Sequence, residues 1–432
     1  MSLIERDARH IWHPFTQHAI EPDPLPVRSA RGSVLVLEDG RELIDGISSW
    51  WTSLHGHGRP ELVQAMAEQA TTLDHVLFAG TTHEPAVALA EELLEVTPPG
   101  LSRVFFSDNG STSVEVALKI AYQAHVHAGA PERTVFVALE GGYHGDTFGS
   151  MSIGDPDPFF VPFQRLLFET RRVPADAAAL RAALVELGPR AAGVVMEPLV
   201  QGAAGMRMHG PELVQAARAT CDELGLPLIA DEVMVGFGRT GSLFACTAAG
   251  VAPDLLCLAK GLTGGSFPMS VTLSTEKLYE TFLSQDRSRA FFHGHSFTGN
   301  PIGCAVARAS LRLSLEEDVA GRLDRIGAAI EERVREGLPA GGHAMGTLRR
   351  RGGIVAFDLP PETASQGPQG SDATPAGGYL GTRSLRLREL AAARGALLRP
   401  LGDVLYAMPP ASTTPEQCQL LGEVLVELAA DA

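Results

Sequence analysis

The sequence is poor in cysteine, in positive charge and in long apolar runs. Its five cysteines are odd in number and show no C-x-x-C pair, which argues against a disulfide scaffold or a cysteine zinc site. Lys and Arg number 35 against 51 Asp and Glu, and the net charge of −16 argues against nucleic acid or an anionic membrane surface as a partner. No apolar run reaches membrane-spanning length, and the N-terminus lacks the apolar region of a secretory signal. Together these absences predict a soluble, cytoplasmic protein.

Histidines are frequent near the N-terminus, at His10, His13 and His18 and again at His55 and His57. No acid or cysteine lies at a metal-ligand spacing from them, so we expect no metal site. The length of 432 residues exceeds what one core usually supports, and we expect two domains.

Two short apolar segments in the middle of the chain each end on a charged residue. Pro227–Ala230 leads into Asp231, and Asp254–Ala259 leads into Lys260. Both predict buried strands, and the carboxyl ends of parallel strands form the sheet edge where ligands bind. An acid and an amine at that edge suit pyridoxal 5'-phosphate (PLP), because lysine forms a Schiff base with the aldehyde and a carboxylate keeps the pyridine nitrogen protonated. Taken alone, Asp231 could instead cap a helix, and Lys260 could be an exposed lysine.

Patterns typical of strands and of helices alternate through most of the chain. The clearest are strands at 103–106, 134–139 and 191–196 and helices at 60–73 and 84–94. This alternation predicts an α/β protein with a mostly parallel sheet. Near the N-terminus, Ser33–Leu37 predicts a small antiparallel meander, and near the C-terminus Pro360–Gly378 predicts a surface loop.

Two strand ends carry further candidate residues. The first leads through a polar turn into a helix at Gly110, Ser111 and Thr112, where free amides and the positive helix end favour a phosphate. The second ends at Tyr143, which lies beside glycine and could cover a flat ring. Nearby, His144 could be a packed structural residue, Asp146 could position a partner, and Glu197 at a third strand end could approach a cofactor or close a loop.

Trp50 and Trp51 are adjacent in the sequence. On an extended segment consecutive side chains point in opposite directions, so one could enter the core while the other lines a pocket. The tail before them, Trp12-His-Pro-Phe15, could pack as a hydrophobic anchor.

The run ADEVMVGFGRTGSLFAC from Ala230, followed by PDLLCLAKGLTGG from Pro253, resembles the cofactor segment of class III (omega-type) aminotransferases of PLP fold type I. The resemblance extends from Trp12 to Pro410. It implies an α/β fold with a large domain, built on a mostly parallel seven-stranded-type sheet, and a smaller α+β domain. The implied boundaries are 1–50 and 311–432 for the two parts of the small domain and 51–310 for the large PLP-binding domain.

The resemblance also assigns site residues. Lys260, Asp231 and Tyr143 would be catalytic, and the cofactor would contact Gly110, Ser111, Thr112, Tyr143, Asp231, Val233, Lys260 and Ser296. Substrates would contact Phe15, Trp50, Trp51, Tyr143, Lys260, Gly294, Arg399 and Tyr406, with a carboxylate on Arg399. In a homodimer, Ser296 would reach the phosphate of the neighbouring subunit. The usual His-Gly-Pro-Thr pattern reads His293-Gly-His-Ser296 here, which keeps the hydroxyl but loses the proline and the threonine methyl.

Within the family the resemblance is greatest to the branch that acts in biotin biosynthesis. It implies conversion of 7-keto-8-aminopelargonate to 7,8-diaminopelargonate by a ping-pong mechanism, with S-adenosylmethionine as amino donor and lysine as the alternative donor. Three other functions stay open. They are another class III aminotransferase, acting on ornithine, 4-aminobutyrate or β-alanine with a keto-acid partner, an aminomutase without an external donor, and a non-catalytic binding protein that has kept the fold.

Overall fold

The computed structural model describes residues 1–157, 159–360 and 379–432. Its strands are β1 Val27–Arg31, β2 Val34–Leu37, β3 Glu42–Asp45, β4 Leu101–Ser107, β5 Val135–Leu139, β6 Thr170–Val173, β7 Ala191–Met196, β8 Val200–Gln201, β9 Arg207–Met208, β10 Leu228–Asp231, β11 Leu255–Leu258, β12 Ser270–Thr275, β13 Arg349–Arg351, β14 Ile354–Asp358, β15 Ala396–Leu397 and β16 Val404–Ala407. The segment predicted to be a surface loop, Pro360–Gly378, lies outside the described residues apart from Pro360.

The helical segments are α1 Leu3–His10, α2 Ser48–Trp51, α3 Pro60–Thr72, α4 Glu84–Val96, α5 Gly110–His127, α6 Phe148–Ile153, α7 Ala177–Leu187, α8 Pro211–Leu224, α9 Ala245–Ala249, α10 Glu276–Glu280, α11 Pro301–Glu316, α12 Val319–Gly337, α13 His343–Thr347, α14 Arg383–Ala393 and α15 Pro415–Asp431. Of these, α2 is a single turn with left-handed backbone angles. Within the ranges described, no helix is long and apolar enough to cross a membrane.

A seven-stranded sheet forms the centre of the molecule, in the order β4-β12-β11-β10-β7-β5-β6. Neighbouring strands from β11 to β6 are parallel, whereas β12 runs antiparallel to both of its neighbours. The predicted α/β fold with a mostly parallel sheet is confirmed.

Helices cover both faces of this sheet because its strands are apolar on both sides. In β5, Val137 and Leu139 pack in one core with residues of α7 and α8, whereas Phe136 and Ala138 pack in another with residues of α5. Alternate residues of a strand point to opposite faces, so one continuous apolar run serves two cores. Because the side chains of the strands are used in these cores, functional side chains can be carried by the loops at the carboxyl ends of the strands.

The N-terminal and C-terminal parts of the chain combine in smaller sheets. The predicted meander is present as β1, β2 and β3, and β15 adds to it in parallel beside β3. A further sheet, β13-β14-β16, comes from the C-terminal part alone. The boundaries 1–50, 51–310 and 311–432 stay a prediction.

Candidate active site

Asp231 and Lys260 line one cavity of about 520 Å³ at the carboxyl end of the central sheet. Asp231 is the last residue of β10 and lies opposite Cys257 of the parallel strand β11. Lys260 follows shortly after β11 ends at Leu258. The same cavity is lined by residues from the ends of β4, β5 and β7, among them Ser111, Tyr143 and Glu197. Parallel pairing thus brings an acid and an amine that are far apart in sequence into one site.

Asp231 is buried and hydrogen-bonded through both carboxylate oxygens. Its Oδ2 lies 2.7 Å from Nδ1 of the buried His144, and its Oδ1 accepts from the Val233 N–H at 3.0 Å. Burial disfavours the charged imidazole, but the hydrogen bond to Asp231 and the charges of Asp231 and Glu197 outweigh it and raise the pKa of His144. His144 therefore holds the Asp231 carboxylate in place.

Lys260 begins a short 3₁₀ turn with a left-handed backbone, at φ +48°. Removal from water lowers the pKa of its amine, and the negative charges of Asp231 and Glu197 oppose that shift. Its Nζ lies 5.0 Å from the centre of a Trp51 ring. The next residue is fixed by the Ser310 hydroxyl, which donates to the Gly261 carbonyl at 3.0 Å. A lysine with a lowered pKa holds a larger share of its amine in the nucleophilic, neutral form.

Glu197 is a second buried acid in the cavity. Burial raises its pKa to about 7, even though His144 and two backbone hydrogen bonds oppose the change. Those bonds come from the N–H groups of Tyr143, at 3.1 Å, and Gly202, at 2.8 Å. Glu197 thus ties together the two loops that border the site.

Tyr143 lines the same cavity, and its hydroxyl donates to Asp146 Oδ1 at 3.1 Å. Burial and the neighbouring Asp146 charge raise the pKa of this phenol. Behind it, the Phe160 ring stacks on Tyr143 with centroids 6.0 Å apart. Tyr143 therefore acts as a neutral aromatic side chain with a fixed orientation.

The start of α5 provides backbone N–H groups at the cavity. Asn109 caps the helix and accepts from the N–H groups of Thr112, at 3.0 Å, and Ser113, at 3.1 Å. Gly110 and Ser111 line the cavity, whereas Thr112 does not, and the Thr112 hydroxyl donates to Asp108. The first amides of a helix have no partners within it, so those of Gly110 and Ser111 suit a phosphate.

The two tryptophans do not lie on an extended segment, and that prediction was wrong. Ser48, Ser49, Trp50 and Trp51 all have left-handed φ values, between 45° and 71°. Trp51 is buried and lines the cavity, and its Nε1–H donates to the Tyr406 hydroxyl at 2.9 Å. Hydrogen bonds from distant parts of the chain select this conformation, which local sequence preference does not indicate.

Arg239 supplies several of those bonds from a fully buried position. Its guanidinium donates to Ser48 Oγ at 3.0 Å and to the carbonyls of Pro409, Ser53 and Trp51 at 3.1, 3.3 and 3.4 Å. Burial lowers the pKa of Arg239 to about 10, with Asp45 opposing the shift. The side chain fastens the tryptophan turn to the segment around Pro409.

The remaining predicted substrate residues form a neighbouring cluster. The rings of Trp50 and Phe15 meet edge-on, with their centroids 5.5 Å apart. The Arg399 guanidinium lies 4.9 Å from the centre of the Trp50 ring. Arg399 also donates to the Phe15 carbonyl at 3.4 Å. None of these three lines the 520 Å³ cavity, and Tyr406 is buried behind Trp51. Trp12, at 91% exposed, does not anchor the tail in this chain.

Gly294 and Ser296 are exposed and do not line the cavity of their own chain. The adjacent Phe292 and Phe297 are also exposed, at 78% and 63%. Their role at a neighbouring subunit stays a prediction.

Sequence reasoning gave too little weight to several residues that hold the site together. His144 was open to a purely structural interpretation, yet it is the buried partner of Asp231. Arg239 and Asp45 were not singled out at all. An arginine in a glycine-rich segment between two buried strands is the one signal that could have identified Arg239.

The family model for class-III aminotransferases matches residues 16–428. The chain belongs to this family. Members are PLP-dependent transaminases, and the cavity around Lys260 is the candidate active site of this chain.

Similar proteins cover nearly the whole chain. It is 47% identical to the adenosylmethionine-8-amino-7-oxononanoate aminotransferase of Synechococcus elongatus, covering 97% of this chain and 98% of that protein. It is 40% identical to the protein of the same name from Geobacter sulfurreducens, covering 97% and 95%. The family resemblance inferred from the sequence is confirmed.

Solved structures agree with this assignment. The adenosylmethionine-8-amino-7-oxononanoate aminotransferase of Methanocaldococcus jannaschii superposes with a TM-score of 0.91 at 32% identity, covering 100% of this chain and 99% of that one. An amine transaminase from an uncultivated Pseudomonas species, solved in its PLP-bound form, has a TM-score of 0.87 at 31% identity, covering 98% of each chain.

The residues of this aminotransferase fit PLP. Lys260 offers an amine, Asp231 a buried carboxylate, and the start of α5 a set of backbone amides. A Cβ added at Gly110 would lie 2.6 Å from a Val233 methyl, so glycine there allows α5 and Val233 to meet. Among the described residues, no group of three or more His, Cys, Asp and Glu side chains could hold a metal ion.

Proposed function

We propose that this class-III aminotransferase transfers an amino group to 7-keto-8-aminopelargonate and forms 7,8-diaminopelargonate, a step of biotin biosynthesis. The relatives named for this activity support the substrate, because they match over nearly the full chain at up to 47% identity. The observation that carries the chemistry is the shared cavity of Lys260 and Asp231, bordered by Trp51 and Tyr143.

Lys260 moves the proton. Its lowered pKa leaves the Nζ lone pair available, so it removes a proton from the donor carbon that bears the amine. In the second half of the reaction it returns a proton to the carbon that was the ketone. The donor product leaves before the keto substrate enters, so the kinetics are ping-pong.

Asp231 and the start of α5 hold the cofactor. When bound, PLP supplies an electron-accepting ring that stabilises negative charge on the substrate carbon. Asp231 would keep a proton on the ring nitrogen, and the hydrogen bond from His144 to its Oδ2 holds the carboxylate in position. Tyr143 and Val233 would contact the ring, and the amides of Gly110 and Ser111 would bind the phosphate, with Thr112 supporting the turn.

The acceptor lies between Lys260 and Arg399. Arg399 binds the distal carboxylate of 7-keto-8-aminopelargonate through its guanidinium, with its face supported by Trp50. Phe15, Trp50 and Trp51 cover the aliphatic chain, while Tyr406 supports Trp51 from behind.

S-adenosylmethionine is the amino donor in this proposal, and lysine is the alternative. The protein acts as a cytoplasmic homodimer in which Gly294 and Ser296 of each subunit complete the site of the other. The exposed phenylalanines beside them, Phe292 and Phe297, support a protein contact at this segment.

The proposal is tested by incubating the PLP-loaded protein with 7-keto-8-aminopelargonate and one donor at a time, and by detecting the diamine by mass spectrometry. Product with S-adenosylmethionine supports the full proposal, and product with lysine alone changes the donor. Turnover only with 2-oxoglutarate or pyruvate would identify another class III activity, and isomerisation of an amino aldehyde without any donor would identify an aminomutase. A Lys260→Ala variant that retained full turnover would overturn the catalytic assignment.

A further inference from the structure

The turn that carries the two active-site tryptophans has an unfavourable backbone. Four consecutive residues, Ser48 to Trp51, have positive φ although none is glycine. The left-handed backbone conformation is energetically unfavourable for any residue with a side chain. A segment in this conformation persists only where its surroundings hold it there. The structure must therefore contain groups whose task is to hold this turn.

Asp45 is one of those groups. It ends β3 and is fully buried at 0% exposed, yet its carboxylate folds forward onto the turn that follows. Oδ1 accepts from the N–H groups of Ser49, at 2.8 Å, and Ile47, at 3.4 Å. Oδ2 accepts from the Ser49 hydroxyl at 2.8 Å and lies 2.8 Å from His57 Nε2. Every one of these partners lies in the turn or directly beside it.

The turn determines where both indole rings lie. Trp51 lies against Lys260, at 5.0 Å, and Trp50 lies against Arg399, at 4.9 Å. If the backbone relaxed to a right-handed or extended form, the two rings would leave these positions together. The backbone at Asp231 would keep its place because it is paired with β11, and Lys260 lies in the short turn that follows β11 and not in the Ser48–Trp51 turn.

We infer that Asp45 is a positioning residue that holds the Ser48–Trp51 turn and thereby sets the fit of the keto substrate between Lys260 and Arg399. The statement about the keto substrate rests on the proposed function, whereas the statement about the turn does not. Asp45 touches no reacting atom, so its removal weakens substrate binding and leaves cofactor binding intact.

Intrinsic fluorescence reports on the turn directly. The chain has three tryptophans, and Trp12 is exposed at 91%, so a Trp12→Phe background confines the signal to Trp50 and Trp51. In the PLP-loaded protein we expect Asp45→Ala to increase acrylamide quenching and to raise KM for 7-keto-8-aminopelargonate about tenfold or more, with kcat and the visible PLP absorbance little changed. Asp45→Asn keeps one oxygen for the Ser49 N–H and should recover part of both losses.

Asp39→Ala is the matched control, because Asp39 is exposed and bonds only to Arg41 among the described residues. If Asp45→Ala does not fold, Ser49→Ala, which removes only the hydroxyl bond, should give a smaller change of the same sign. The inference would be overturned if Asp45→Ala showed the same quenching and the same KM as the control. It would also be overturned if Asp45→Asn and Ser49→Ala both matched the control. The two ideas can also fail separately. If Asp45→Ala increased quenching but the protein with Asp45 intact never turned over the keto substrate, the positioning role would be supported and only the proposed function would be refuted.

Discussion

Replacing Glu197 with glutamine should remove a pH-dependent part of the free energy of unfolding. In the folded protein burial raises the pKa of this carboxyl from 4.5 to about 7. The folded state therefore keeps a proton that the unfolded state has lost, and stability falls as pH rises from about 4.5 through about 7. A shift of this size corresponds to about 3 kcal/mol, fully present as stability below the lower pKa and lost above the higher one.

The assay is urea unfolding of the cofactor-free wild type and Glu197→Gln at a series of pH values. The free energy of unfolding of the wild type minus that of the variant should fall by about 3 kcal/mol between pH 4.5 and 7.5, and it should not change above pH 7.5. Burial also raises the pKa of Glu232 to about 7, but this group is present in both proteins and cancels in the difference. Parallel curves for the two proteins would refute the reasoning, because they would mean that Glu197 titrates alike in both states.

Two other changes test the cofactor end of the site. His144→Phe removes the ring nitrogen that lies 2.7 Å from Asp231 Oδ2. We expect this variant to bind PLP about tenfold more weakly in an absorbance titration, and unchanged affinity would contradict the role given to His144. Gly145→Ala places a Cβ 1.9 Å from Ser111 Oγ at φ +115°. In the control, Gly129→Ala, φ is +82° and nothing lies within 4 Å of the added Cβ. We therefore expect Gly145→Ala to lower stability in chemical denaturation by roughly 2 kcal/mol more than the control. Equal losses in the two glycine variants would show that the close contact does not matter.

The parts of the fold that depend on local pattern were predictable from the sequence. Apolar runs gave the strands β5, β7, β10 and β11, and their order gave the parallel sheet. The placement of Asp231 and Lys260 followed from a simple rule, because each is the first charged residue after a buried run. Local pattern and three-dimensional structure agree wherever burial alone decides the conformation.

The tryptophan turn was not predictable in this way. Its left-handed form depends on Arg239, on Met408 and on Asp45, and only Asp45 is close to it in sequence. The same holds for the pairing of His144 with Asp231, which joins residues 87 positions apart. Contacts of this kind depend on how the strands are arranged, and one sequence contains no periodic signal for them.

The bond from the Ser48 hydroxyl to the Met408 carbonyl, at 2.7 Å, spans 360 positions of the chain. During synthesis the residues that follow β3 emerge first, and the segment that completes their surroundings emerges almost last. The strands of the central sheet, which includes Asp231, all precede that segment, since the last of them ends at Thr275. A chain cut short before Met408 therefore contains every strand of the central sheet but lacks the carbonyl that accepts from Ser48.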